Sequence, residues 1–236
     1  MNKRLSYLSM KTLYTLVSAS LIFAFSLQGY AQTAADTAIK NTASATYSDG
    51  NGNNFDTVSN EVTVTVAKVA GLTITPDGQT NSAVVAGQTG VTMNFTVTNT
   101  GNFSNDVRFL ASGASLRAVT SGTATPTITA ATAGGDNILT NGAAVDKTLA
   151  AGGTLSVVVT LSIPAGASPS DVITVYLGDA TTGTNFDNVT ANTSANEVRT
   201  ILTTAVNGLR EARGDISVTV ENNALPRVNL TAPAGP

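Results

Sequence analysis

The stretch Ser59–Gly71 reads SNEVTVTVAKVAG. Val62, Val64 and Val66 alternate with Thr63 and Thr65, and a period of two predicts a strand with one buried and one wet face. Valine and threonine are both β-branched and suit a pleated surface. Upstream, Thr42–Ser48 (TASATYS) predicts a second strand, and the intervening Asp49–Asp56 (DGNGNNFD) is rich in turn formers. Together they predict a β-hairpin.

The same pattern continues along the chain. Leu72 and Ile74 alternate in GLTITP. Val91, Met93, Phe95 and Val97 share one face of the next strand, which ends in the turn signal Asn99-Thr100-Gly101-Asn102. Val107–Leu110 predicts a further strand, and 111–141, rich in Ala, Gly, Ser and Thr, predicts one or two weak ones. Leu155, Val157, Val159, Leu161 and Ile163 give the strongest core strand, and Pro164 ends it by removing a ladder donor. Ile173–Leu177, Asn188–Leu202 and Asp215–Glu221 follow, with a short candidate at Val228 and Leu230. Thr203–Arg213 is the best helical stretch, and Gly208 interrupts it. Many short strands separated by Gly, Asn and Pro turns predict an all-β fold. An antiparallel immunoglobulin-like sandwich with an N-terminal β-hairpin extension comes first, and a closed barrel second.

Residues 1–31 are built differently. Lys3, Arg4 and Lys11 precede an apolar run, Leu13–Leu27, too short for a comfortable membrane span. Gly29-Tyr30-Ala31 then places small residues at positions suited to cleavage. This is the layout of a secretory signal peptide, with an uncleaved N-terminal anchor as the alternative. The expected organisation is a signal peptide at 1–31, a hairpin region at 32–70 and the sandwich at 71–236. An isolated hairpin is marginal in water, so its pairing into the sandwich is kept open. Cleavage leaves nine basic against fifteen acidic residues, a net charge of −6. A secreted protein, extracellular or at the cell surface, is the expected product, with no membrane contact after cleavage.

Composition narrows the chemistry. Of the 236 residues, 42% are hydrophobic and only 11% charged, and there is neither cysteine nor histidine. Ser–His–Asp, thiolate and histidine–metal chemistry are excluded. The acidic balance and the lack of a basic cluster beyond the N-terminus argue against nucleic acid. No sequence feature pairs two carboxylates for glycosidase work, and aromatic residues are 5% with no tryptophan. The expectation is a protein that is not an enzyme and uses no cofactor.

Residues 41–78, 85–102 (VAGQTGVTMNFTVTNTGN) and 149–168 (LAAGGTLSVVVTLSIPAGAS) resemble a bacterial secreted surface-repeat domain of unknown function. That resemblance covers about two thirds of the expected mature chain. It implies immunoglobulin-like modules of the kind found in tandem in cell-surface and adhesin-like proteins, and it implies no catalytic residues. This sequence departs from the long arrays in having one copy, without an LPxTG-like sorting signal or a hydrophobic C-terminal tail, so an anchor is not expected.

Each candidate site stands beside a plainer reading. Asp49, Asn51, Asn53 and Asp56 offer oxygens for calcium, but Asn54 and Asn60 stand where an EF-hand loop needs Gly and a bidentate acid. A hairpin turn is the preferred reading. Arg213-Gly214-Asp215 matches an integrin-recognised tripeptide, or simply turns into the strand at Asp215. Lys68, in phase with Val62, Val64 and Val66, suggests an isopeptide bond or an amine reaching for water. Thr63/Thr65, Thr73/Thr75 and Thr96/Thr98 have the look of ice-binding ranks, yet irregular spacing favours ordinary wet faces. Asn-x-Ser/Thr sequons begin at Asn94, Asn102, Asn188, Asn192 and Asn229 and need no explanation in so Asn- and Thr-rich a chain.

The expected function is that of a non-catalytic structural protein of the bacterial cell surface or exterior. Its expected partners are copies of itself or another cell-surface protein, and inter-subunit strand pairing into a filament or layer is the expected means. An adhesin or a carbohydrate- or calcium-binding module is the alternative.

Overall fold

Alternation in the sequence becomes alternation in burial. Along VTMNFTVTN, Met93, Phe95 and Val97 are fully buried while Thr92, Asn94 and Thr96 face water. Along TLSVVVTLS, Val157, Val159 and Leu161 do the same. The computed structural model describes residues 32–178, 196–201 and 207–222. The expected signal peptide at 1–31, the sequons at Asn188, Asn192 and Asn229, residues 188–195 and 202 of one expected strand, residues 203–206 of the helical candidate and the expected last strand lie outside the described residues.

Two sheets form the sandwich. The first runs β13 (Asp136–Asn137), β12 (Thr127–Ala133), β15 (Thr154–Ser162), β9 (Val91–Asn99) and β6 (Leu72–Thr75), all antiparallel. The second is laid down in two stretches. One runs β14 (Val145–Leu149), β10 (Asn105–Phe109), β17 (Val198–Thr200) and β19 (Glu211–Ala212). The other runs β11 (Leu116–Thr120), β16 (Val172–Leu177) and β20 (Gly214–Glu221). There β7 (Gln79–Thr80) and β8 (Val84–Val85) lie parallel to β20. The facing side chains, among them Phe95, Phe109, Leu161, Ile173, Leu177 and Ile216, build one apolar core. The fold is therefore an antiparallel immunoglobulin-like sandwich and not a closed barrel.

Several elements depart from expectation. VDKTL, for which the sequence predicts no strand, is strand β14, because Val145 and Leu149 bury while Asp146 and Thr148 face water. The weak region 111–141 holds three strands and one 3-10 turn, Ala111–Gly113. The described part of the helical candidate is extended: β18 (Asn207–Gly208) runs parallel to β5 (Val69–Ala70), and β19 follows.

The N-terminal hairpin differs most. β1 (Ala38–Asn41) pairs with β4 (Val62–Thr65), and β2 (Ser44–Ser48) pairs with β3 (Asn54–Val58). β1 is thus half of the first arm, and β3, which begins inside the expected turn Asp49–Asp56, is half of the second. Between the two registers, two residues on the first arm face three on the second, Ser59–Glu61, which makes a β-bulge. Ser59 N donates to Ala43 O at 2.8 Å, and Ala43 N donates to Ser59 Oγ at 2.9 Å. Among the described residues no third strand joins these pairs. The buried face expected for Ser59–Gly71 is open over its first half: Val62 is 61% and Val64 58% exposed, and burial is reached only at Ala70. Nothing in the chain's described part covers that half.

Charge is also buried in the second sheet, without a local sequence signal. Across four strands the register aligns Asp146, Arg108, Arg199 and Glu211. Arg108 makes a two-pronged contact to Asp146 at 2.8 and 2.7 Å. Arg199 is buried with Glu197, 3.1 Å away, and Glu211, 3.4 Å away. Removing the cation strands two buried carboxylates. Arg199→Met is expected to destabilise the domain by about 3–5 kcal/mol, read as a lower urea midpoint.

Candidate interaction surface

The hairpin is amphipathic, and its apolar face is open. Residues directly opposite one another share a face. Ile39 stands opposite Val64, Asn41 opposite Val62, and Tyr47 opposite Phe55. Along the first arm Ile39, Asn41, Ala43, Ala45 and Tyr47 keep one parity, so these pairs lie on one side. Tyr47 and Phe55 stack with ring centroids 5.2 Å apart. The opposite side is polar except for Val58, which stands opposite Ser44. Lys40 Nζ lies 2.8 Å from Glu61, and Thr46 Oγ1 donates to Asp56 at 2.7 Å. Of the eight large hydrophobic side chains exposed among the described residues, six (Ile39, Tyr47, Phe55, Val58, Val62 and Val64) belong to this hairpin. Exposed apolar clusters of this kind are uncommon on monomeric proteins.

One side chain fixes the hairpin to the sandwich. Asn102, in the turn between β9 and β10, is buried. Its Oδ1 accepts from Val69 N at 2.8 Å, and its Nδ2 donates to Ala67 O at 3.0 Å. Its backbone N donates to Val69 O at 3.1 Å, and its carbonyl accepts from Ala35 N at 3.0 Å. Gly101 permits this approach, since a Cβ there would lie 2.6 Å from Val69 O. The sequence marks Asn102 only as a turn residue and a sequon. Its inward role depends on a contact with residues more than thirty positions away, which no local pattern encodes.

The sequence candidates resolve as follows. Asp49 is engaged within its own turn: Oδ1 accepts from Asn51 N at 2.8 Å and Asn53 N at 3.2 Å, and Oδ2 accepts from Asn53 Nδ2 at 2.7 Å. These bonds, the Asn53 side chain first, hold its carboxyl below the ordinary carboxylate range. Gly50 and Gly52 both adopt positive φ, as the turn requires. Asp56 faces Thr46 across the strands instead of turning toward Asp49. Asp49, Asn51 and Asn53 therefore sit in the turn and Asp56 in β3, and no group of three or more acids suited to a metal ion occurs among the described residues.

Lys68 lies 3.4 Å from Asp36 Oδ2 and 5.9 Å from the Phe103 ring centroid. It is 40% exposed and Asp36 71%, a solvated ion pair far from the dry setting an isopeptide bond needs. Arg213-Gly214-Asp215 is no loop apex. Gly214 is the buried first residue of β20, against Ile74. Burial, then the hydrogen bond and charge of Asp77, raise the Asp215 carboxyl above its ordinary value of 3.8, with Arg213 acting the other way. These are two neighbouring carboxylates that the sequence did not pair. They stand at a strand end and are not among the residues that line a cleft of about 380 Å³, which include Asn81, Val84, Gln88 and Val218.

Two of the three threonine pairs are brought into register despite their irregular spacing in sequence, while Thr63 and Thr65 lie apart in β4. Thr73, Thr98 and Thr154 form one row, and Thr75, Thr96 and Ser156 the next. β6, β9, β12 and β15 carry no charged residue. Strand twist rotates each neighbour by about 20–25°, so the rows do not make a flat lattice.

No protein-family model matches the chain, and no curated protein matches it. Two solved structures are similar. A mutant of the adhesin CfaE from CFA/I of enterotoxigenic E. coli is 8% identical with a TM-score of 0.39, over 82% of this chain and 60% of that one. PapD-like domain 7 of human CEP192 is 13% identical with a TM-score of 0.27, over 66% of this chain and 88% of that one. The chain thus spans less than two thirds of the adhesin's length.

Two outcomes follow from these contacts. Asn102→Ala leaves Val69 N without its acceptor. It is expected to cost about 1–3 kcal/mol, seen as faster amide exchange at the hairpin root with little change in the sandwich. The Asp215 carboxyl binds its proton more tightly folded than unfolded, so its contribution to stability falls as pH rises through that window. Asp215→Asn is expected to raise the melting temperature at pH 7, with the advantage gone below about pH 3.8, the unfolded value.

Proposed function

We propose that this is a non-catalytic structural protein of the bacterial exterior, whose sandwich is a rigid base and whose hairpin joins it to further copies. The observation that carries this reading is an amphipathic hairpin with its apolar face uncovered. A two-stranded hairpin without a third strand or a packed face is marginal, so it gains most from a partner. Both its edges are open to strand addition. The resemblance to secreted surface-repeat domains and the signal-like N-terminal sequence support the location. No helix among the described residues is long and apolar enough to cross a membrane.

A second reading, a ligand-binding or adhesive module, is favoured by one feature: the charge-free hydroxyl face of the first sheet. It suits an uncharged, hydrogen-bonding ligand such as a neutral glycan. Binding on a glycan array that is lost in Thr96→Lys would support it.

Assembly is the direct test. Native mass spectrometry of the exported protein should show species of two or more copies. A monomer that persists at high concentration would sink the proposal.

A further inference from the structure

Resting on that assembling role, we propose that two copies meet through the apolar faces of their hairpins, packed face to face about a two-fold axis, and not by pairing strand edges. The argument starts from what can cover the face. Ile39, Tyr47, Phe55, Val62 and Val64 are 43–61% exposed. Together they present on the order of 500 Å² of apolar surface, near the upper end of what a monomer leaves open. The face carries no charge, so its cover must be uncharged as well, or it would bury an unpaired ion. Elsewhere among the described residues only Val172 and Leu209 are large, apolar and exposed. A matching apolar surface is therefore found on one thing this chain provides, the same hairpin of another copy.

The edges are less suited than the face. The bulge at Ser59–Glu61 breaks each edge into runs of four or five residues, and bulges twist an edge away from a neighbour. The face has a shape that pairs with itself. Its large side chains cluster at the root and the tip, and its waist holds the small Ala43 and Ala45. A two-fold axis through the waist sets aliphatic root against aromatic tip on both sides. Two such faces cover on the order of 1,000 Å², the lower limit for a specific interface, so a dimer that dissociates on dilution is expected.

The protein lacks cysteine, which permits a clean test. In the exported protein, Ala45→Cys on the apolar face should form a chain-to-chain disulfide under mild oxidation, while Thr46→Cys on the polar face should not. Val64→Glu should weaken the dimer at least tenfold by sedimentation. Thr65→Glu, on the same strand but the other face, should leave it intact, and unchanged melting of the sandwich in both would confirm folding. If copies associate but Thr46→Cys links as well as Ala45→Cys, or Val64→Glu has no effect, face packing is overturned while assembly stands. A monomer under all conditions overturns both. Capture of a different protein by Ala45→Cys on cells, without self-linkage, overturns the choice of a second copy.

Discussion

Period-two alternation gives a strand one face that water disfavours, and every such strand must find a cover. In the sandwich the cover is internal. Phe95 and Leu161 from one sheet and Phe109, Ile173 and Ile216 from the other belong to a single buried cluster. In the hairpin the same alternation finds no cover within the described chain. One rule of sheet chemistry therefore yields both the stable body and the surface that asks for a partner.

The two parts meet through a narrow set of polar contacts. Asn102 supplies a side-chain donor, a side-chain acceptor and both backbone groups to the root of the hairpin. Hydrogen bonds of this kind orient strongly while contributing modest net stability. The hairpin is thus aimed by the sandwich without being packed into it. The Arg199 cluster lies in the second sheet, where two buried acids and a cation hold neighbouring strands in one register. Buried ion pairs add little net stability but penalise misalignment heavily.

Fold class was legible because alternation is a local signal: Met93, Phe95 and Val97 declare their face without reference to anything distant. The strand at Val145–Leu149 escaped because Asp146 and Lys147 mask a pattern with only two large apolar residues. The hairpin's pairing escaped because register is a long-range property, and Ser59–Gly71 reads equally well as one strand or as two pieces around a turn. Exposure escaped for a deeper reason. Alternation states that a face wants burial, and is silent on whether its own chain supplies it. Asp49 with its neighbours and the Arg213–Asp215 tripeptide match residue types whose geometry here is set by turn and strand.

The extra residue in the second arm has a consequence of its own. Phe55 and Thr57 are odd-numbered, whereas Val62 and Val64 are even. A strictly regular strand would send them to opposite sides, leaving each side of the hairpin half apolar. Three residues set against two at Ser59–Glu61 reset that parity, so tip and root fall on the same side. The bulge is an arithmetic correction that turns two small patches into one. Deleting a single residue there would split the patch in two while leaving every side chain in place.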